Sequence, residues 1–328
     1  MKQKWTTASW TQDNTNLSYQ QNPRVTETNI YDAAGNRRRA TISYASFTLP
    51  SGASCSLPTD TYEYQSDATT VYRRSHTDYN IDTPYLNLRI IGLVNGSYLY
   101  DGAGNVMSKA TYCYDCDSTQ IANTPAAPVQ HDATYDSTDL SIKRGNLMVE
   151  GRWDASDPQN AAKQLYRHWR YDTAGNLIAI TDPLNHQQSI SYSDSFSESS
   201  RNGNKFAYPT ELKDAENKSI YTQYNYDFGA ATRVTTPSPN AGQAAPYQTY
   251  TYDTAGRLTQ ITNGVNQAYT RWSYSTNWRD IYTYSTIQDG AGEVWSLNAR
   301  NGAGATWASV DELPNGYWAL SNSMASLR

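Results

Sequence analysis

The chain has 328 residues, with 26 Lys and Arg against 31 Asp and Glu, and a net charge of −5. Its basic residues are scattered rather than gathered into a stripe interleaved with aromatics, which argues against a nucleic-acid partner. Tyr is the commonest large side chain at 28 copies, and no apolar run is long enough for a membrane-spanning helix.

The N-terminus, Met1-Lys2-Gln3-Lys4-Trp5-Thr6, lacks the apolar core of a signal peptide. The chain is therefore expected to begin and end inside a longer one, with any export signal elsewhere. The first recurring phrase is Tyr31-Asp32-Ala33-Ala34-Gly35. It returns as Tyr100-Asp101-Gly102-Ala103-Gly104, Tyr171-Asp172-Thr173-Ala174-Gly175 and Tyr252-Asp253-Thr254-Ala255-Gly256. A fifth copy, Asp289-Gly290-Ala291-Gly292, lacks the Tyr. Asp favours the first position of a type I turn, where its carboxylate accepts the turn's own amides. Gly favours the fourth, where the chain swings to positive φ. Asp-x-x-Gly thus predicts a hairpin loop of a type I turn followed by a left-handed residue.

Asn also adopts the left-handed conformation. Nine of the 23 Asp begin Asp-x-x-Gly/Asn, namely residues 13, 32, 101, 157, 172, 182, 214, 253 and 289. Chance predicts about three, so the excess points to a framework of turns. Gly35, Gly104, Gly175 and Gly256 are 69, 71 and 81 residues apart, and Gly292 follows after 36. That spacing predicts a unit of 35 to 40 residues with alternate copies worn down. The midpoints are expected at Ser66-Asp67-Ala68-Thr69-Thr70, Tyr135-Asp136-Ser137-Thr138-Asp139 and Asp214-Ala215-Glu216-Asn217.

The segments before these turns read as strands. Tyr-x-Tyr occurs at 62/64, 98/100, 112/114, 224/226, 250/252 and 282/284, and Trp169/Tyr171 and Trp272/Tyr274 share the spacing. Side chains two apart lie on one face of a strand. Those rings are expected to meet aromatics of neighbouring repeats. The connections 49–60, 115–140, 194–209 and 236–247 are rich in Ser, Pro, Ala, Asn and Gln and read as surface loops or long hairpin tips.

Chemistry-bearing constellations are sparse. Cys113-Tyr114-Asp115-Cys116 is a CxxC, but a zinc site needs four ligands, so two unpaired thiols are expected, with a disulfide or a metal as the lesser reading. His76, His131, His168 and His186 stand in no motif of a hydrolase or metalloprotease. Of eight Glu, Glu150, Glu211 and Glu293 sit in strand-like surroundings, and nothing pairs two of them as a glycosidase requires. No pocket is expected where two or more of these seven residues converge. No catalytic, cofactor-binding or metal site is assigned. Exposed Tyr and Trp would also suit sugar binding, since a flat ring with a polar tip stacks on a sugar face.

The phrase Tyr252-Asp253-Thr254-Ala255-Gly256-Arg257-Leu258, the other Tyr-Asp-x-x-Gly copies, and the half-motif Asp182-Pro183-Leu184-Asn185 resemble the RHS/YD-repeat family. The resemblance covers about residues 17–295. It implies an all-β fold of consecutive antiparallel hairpins in one large curved sheet, a segment of a spiral shell. It implies a non-enzymatic role, enclosing or displaying a toxin or effector in bacterial members, or mediating cell contact in teneurin-like ones. The implied partners are the remaining repeats of a parent chain or an enclosed effector, and the implied location is extracellular or the cell envelope. Its structural residues here are Tyr31, Asp32, Gly35, Tyr100, Asp101, Gly104, Tyr171, Asp172, Gly175, Tyr252, Asp253, Gly256, Asp289 and Gly292. Residues 1–295 are read as the repeat region and 296–328 as a degenerate repeat or irregular tail, with no match to the family's self-cleaving core. Alternatives are a carbohydrate-binding surface protein and, third, a glycan-cleaving enzyme.

Overall fold

The computed structural model describes residues 4–14, 16–154, 156–158, 160–197, 205–240, 242–276, 279–313 and 317–322. Among these residues the regular structure is a sheet of 22 strands, one short helix, Thr83–Asn87, and three 3₁₀ turns. The expected class holds: all-β, built from consecutive antiparallel hairpins. Among the described pairings the exception is Ile121–Ala122, which runs parallel to Leu165–Asp172.

Internal contacts divide the chain into two compact units. One comprises Met1–Thr124 and His131–Gln187, the other Pro125–Gln130 and Gln188–Arg328. Position 295 lies inside the strand Ala291–Arg300, whose ladder continues through Thr306–Glu312 to Trp318–Asn322. In the first unit the ladder runs from Trp5–Thr11 through Arg24–Tyr31, Arg37–Thr48, Ser54–Tyr64, Val71–Tyr79, Val94–Asp101 and Val106–Tyr114. It continues through Leu147–Arg152 and Leu165–Asp172 to Leu177–Thr181.

Equal spacing in residues proves not to be an equal structural unit. From Gly35 to Gly104 the chain makes four strands. From Gly104 to Gly175 the main ladder gains three, because the connection between Tyr114 and Leu147 absorbs the remaining length. An odd number of strands places the Gly175 turn on the opposite edge of this unit from the Gly35 and Gly104 turns.

The alternating hydroxylic and aromatic residues favour strands, but the ladders are not regular. Among the described residues, ten register shifts interrupt them, and eight fall at a Tyr: Tyr44, Tyr64, Tyr79, Tyr100, Tyr114, Tyr171, Tyr224 and Tyr252. Each shift is a bulge, where one extra residue leaves the ladder and increases local twist. In four bulges the extra residue is a Thr: Thr26, Thr59, Thr232 and Thr259. A Tyr from the next strand donates to the carbonyl just before that Thr. These bonds run from Tyr44 to Val25 (2.8 Å), Tyr79 to Pro58 (2.9 Å), Tyr252 to Ala231 (2.7 Å) and Tyr274 to Leu258 (2.8 Å). Tyr224 makes the same bond to Pro209, before Thr210, at 2.9 Å. The Tyr hydroxyl thus satisfies a backbone acceptor that the bulge takes out of the ladder.

Candidate functional site

The recurring element is the Asp-clamped turn, and its bonds repeat closely. The Asp32 amide donates to the Asn36 carbonyl and the Gly35 amide to the Asp32 carbonyl, both at 3.1 Å. One Asp32 carboxylate oxygen accepts the amides of Ala34 and Asn36 at 2.9 Å, and the other accepts the Asn36 side chain at 2.7 Å. Asp101 makes the same set with Ala103 and Asn105 at 2.8–2.9 Å. Asp253 does so with Ala255 and Arg257, the Arg257 guanidinium taking the place of the Asn side chain at 2.6 Å. Asp172 holds Asn176 by both its amide (2.8 Å) and its side chain (3.2 Å). Asp172 is only 4% exposed, because Ile121 and Ala122 lie alongside Tyr171 and Asp172. Gly35, Gly104, Gly175 and Gly256 have φ of +87°, +88°, +87° and +76°. The Asn36 and Asn105 side chains and amides hold the Asp32 and Asp101 carboxyls below the ordinary aspartate range; for Asp253, Arg257 does so.

The fifth copy is built differently. Gln288 pairs with Ala291, so Asp289 and Gly290 are the two central residues of a tight hairpin, with φ of +36° and +80°. Both central residues left-handed is the primed turn that suits two-residue hairpins. Asp289 accepts the Asn266 side chain at 3.1 Å instead of the amides of an Asp-x-x-Gly turn, and Gly292 lies within the following strand with φ +67°. The clamp reappears at Asp182, with Asn185 left-handed and His186 as the clamped residue, and at Asp214, with Asn217 left-handed. It is also present at Asn301, whose side chain accepts the Ala303 and Ala305 amides at 3.0 Å while Gly304 has φ +83°. Asp157 opens a turn closed by the Asn160 amide, whereas Asp13 pairs with Arg24. Of the midpoints, 214–217 is a clamped hairpin. The turn near Asp67 starts two residues before it, at Gln65, with Ala68 left-handed. Residues 135–139 form no hairpin, since Ala133–Tyr135 is a 3₁₀ turn inside the 115–146 connection.

The aromatic faces follow the expectation in part. Tyr98 meets His76 at 5.8 Å, Tyr252 meets Phe228 at 5.1 Å and Tyr282 meets Trp295 at 6.4 Å, while guanidinium groups cover other rings. Arg39 lies over Tyr64 (4.5 Å) and binds Glu27. Arg74 lies over Tyr100 (5.0 Å) and binds Asp60. Arg257 lies over Tyr274 (4.4 Å) and binds Asp253. Arg271 lies over Tyr284 (3.7 Å) and binds Glu293. A planar guanidinium can stack on a ring and form an ion pair with a carboxylate at once. Arg271 and the Tyr269 hydroxyl push the Glu293 carboxyl down to about 2. Sequence patterning missed these stacks because each ring lies on a strand other than the one that carries or follows its Arg.

Cys113 and Cys116 are not free thiols: they form a disulfide, with Cα atoms 6.0 Å apart. The left-handed backbone at Asp115, φ +44°, turns the chain after Tyr114 and brings Cys116 back toward Cys113. Cys55 is free.

The titratable residues lie apart. His76 bonds Asp60 (2.8 Å) and Asp78 (2.9 Å), and His131 bonds Asp136 (2.8 Å). His186 belongs to its turn. The His168 Nδ1 is buried among described atoms without a partner. Glu150 pairs with Arg152 (2.8 Å), Glu211 accepts Ser219 (2.7 Å), and Glu293 is engaged by Arg271 and Tyr269. Among the described residues, four surface depressions are lined by none of these seven. One depression, of about 530 Å³, is lined by Trp272, Gln248, Asn263, Thr270, Ser285 and Thr286 among others. Among the described residues no group of three or more His, Cys, Asp or Glu is placed to hold a metal ion, and no helix is long and apolar enough to cross a membrane.

No family model and no curated protein matches the chain. Solved structures with a similar arrangement are Tc toxin chains. They include TcdB2-TccC3-Cdc42 at 12% identity and TM-score 0.39, and TcdB2-TccC3 without its hypervariable C-terminal region at 14% and 0.39. The Photorhabdus luminescens Tc holotoxin pore with a TccC3 mutation matches at 13% and 0.39. Each match covers 91% of this chain and 15% of the other, so the chain spans a small part of their length. At this TM-score the likeness is loose, and no role follows from it.

Proposed function

We propose that the chain is a non-enzymatic segment of an RHS/YD-repeat shell that encloses or displays an effector. The observation that carries this reading is the Asp-clamped turn, repeated with the same bonds at Asp32, Asp101 and Asp253. Its partners are then the remaining repeats of a longer parent chain or an enclosed effector. The candidate carboxylates Glu150, Glu211 and Glu293 are engaged by Arg152, Ser219 and Arg271, which supports a scaffold rather than an enzyme. An extracellular or envelope location accords with the Cys113–Cys116 disulfide, since such bonds persist in oxidising compartments. The test is limited proteolysis of the parent chain. A shell should shield a C-terminal segment that is cut readily when expressed alone, and equal cutting in both forms refutes it. Broad hydrolase screening beside alanine variants of the four His and of Glu150, Glu211 and Glu293 tests the non-enzymatic part. Turnover that one variant abolishes would restore an enzyme.

A second reading, carbohydrate binding, draws on the depression around Trp272. It joins an indole to amide and hydroxyl side chains, with no charged lining residue among the described ones. Uncharged hydrogen-bonding groups beside a flat ring suit a neutral saccharide. Glycan-array binding lost in Trp272→Ala supports it, and an array without signal removes it.

A further inference from the structure

The disulfide encircles Tyr114 and Asp115 at the end of the strand Val106–Tyr114. Asp115 is 3% exposed. Its carboxylate accepts three consecutive amides from the far end of the following connection: Arg144 (2.9 Å), Gly145 (2.7 Å) and Asn146 (3.1 Å). Its own amide donates to the Asn146 carbonyl at 3.0 Å, and its carbonyl accepts the Lys143 ammonium at 3.4 Å. One residue therefore ties the start of the 115–146 connection to its end.

The covalent ring spans only Cys113 to Cys116, a loop too short to constrain the unfolded chain much. Its hold is local. It brackets a non-Gly residue in the left-handed region, a conformation that L-residues leave readily when released. Cys116 is exposed, so a reductant in solution can reach it.

We propose that Cys113–Cys116 is a redox latch on the 115–146 connection. A thiolate of a dithiol attacks the Cys116 sulfur, breaking the bond and forming a mixed disulfide while Cys113 takes a proton. The reductant's second thiolate then displaces Cys116, which also takes a proton, and the reductant leaves as its own disulfide. The two electrons come from the dithiol. Asp115 then leaves its left-handed conformation, and the three amides lose their acceptor. The connection opens while the hairpin ladders stay paired. Because the connection carries Ile121–Ala122, which lies along Leu165–Asp172, opening also uncovers the Asp172 turn.

The experiment is amide hydrogen exchange on the native protein, with oxidised or reduced dithiothreitol, and thiols counted in parallel. Reduction should speed exchange at Arg144, Gly145 and Asn146 by about tenfold or more, a local opening. Amides of Val94–Asp101 and Tyr247–Tyr252 should not change. Asp115→Asn should loosen the same three amides in the oxidised protein. Unchanged exchange once the thiols are free overturns the latch, as does failure of the native protein to yield thiols. Exchange rising in every strand also overturns it, because the bond would then support the whole fold. A Cys113→Ser, Cys116→Ser double variant should fold and behave as the reduced protein; failure to fold counts against the proposal.

Discussion

At Gly175 the backbone conformation alone sets the cost of a side chain. Its φ is +87°, and a Cβ built there meets no heavy atom within 4 Å. Gly175→Ala should therefore lose about 1–2 kcal/mol, the left-handed penalty for an L-residue. Gly175→Asn should lose less, because Asn tolerates that region and occupies the same turn position at Asn185 and Asn217. Urea denaturation of the two variants checks the order; equal losses would point to a steric cause. This part was readable in advance, because a turn closed within five consecutive residues writes all its requirements into one short phrase. The Asp289 copy shows the limit. Asp-x-x-Gly fits two hairpin geometries, and the one adopted depends on which residues of the flanking strands pair.

Hairpins are joined by the tyrosine that reaches back to the bulge in the preceding strand. Tyr252→Phe keeps the ring against Phe228 and removes only the bond to the Ala231 carbonyl. The expected loss is about 1 kcal/mol, the net worth of one hydrogen bond with its acceptor left unpaired. Tyr250→Phe serves as control, since that hydroxyl bonds only the Gln248 side chain two residues away on an exposed stretch. Chemical denaturation should separate the two variants, and equal stability would mean that water replaces the tyrosine at the bulge. The pattern was not legible in the sequence. The donor follows its acceptor by 15 to 21 residues, so no fixed period marks it. The bulges depend on cross-strand register, which alternating Tyr and Thr leave open. The guanidinium stacks escaped notice for the same reason, and the disulfide because CxxC spacing alone does not reveal the left-handed turn at Asp115.

Across both units, many carboxyls are held below their ordinary values by bonds made only in the folded chain. Asp32, Asp101 and Asp182 are examples in the first unit and Asp253 in the second. Asp67 falls from 3.8 to about 2 through Thr70 and Thr69, and Glu293 from 4.5 to about 2 through Arg271 and Tyr269. A lowered folded value means that the unfolded chain binds the proton first. Stability is then complete above the unfolded values and is lost as pH falls through the folded ones. The urea midpoint should hold steady from pH 7 to about 5 and drop between about 4.5 and 2. A midpoint that stays level through that window would show that the clamps contribute nothing to net stability. The all-β class and much of the turn framework were legible from composition and phrase. The division into two units was not, because the repeat phrases run through both without a change in composition.

The direction of the tyrosine bonds bears on how the protein is made. Val25, Pro58, Ala231 and Leu258 each wait for a hydroxyl encoded later in the chain, at Tyr44, Tyr79, Tyr252 and Tyr274. A ribosome delivers the waiting carbonyl first and its donor afterwards. Each new strand therefore completes the one before it, and growth from the N-terminus proceeds like laying shingles, each course pinning the edge of the last. A nascent chain halted after Leu258 and before Tyr274 should expose an unpinned bulge that the finished chain conceals.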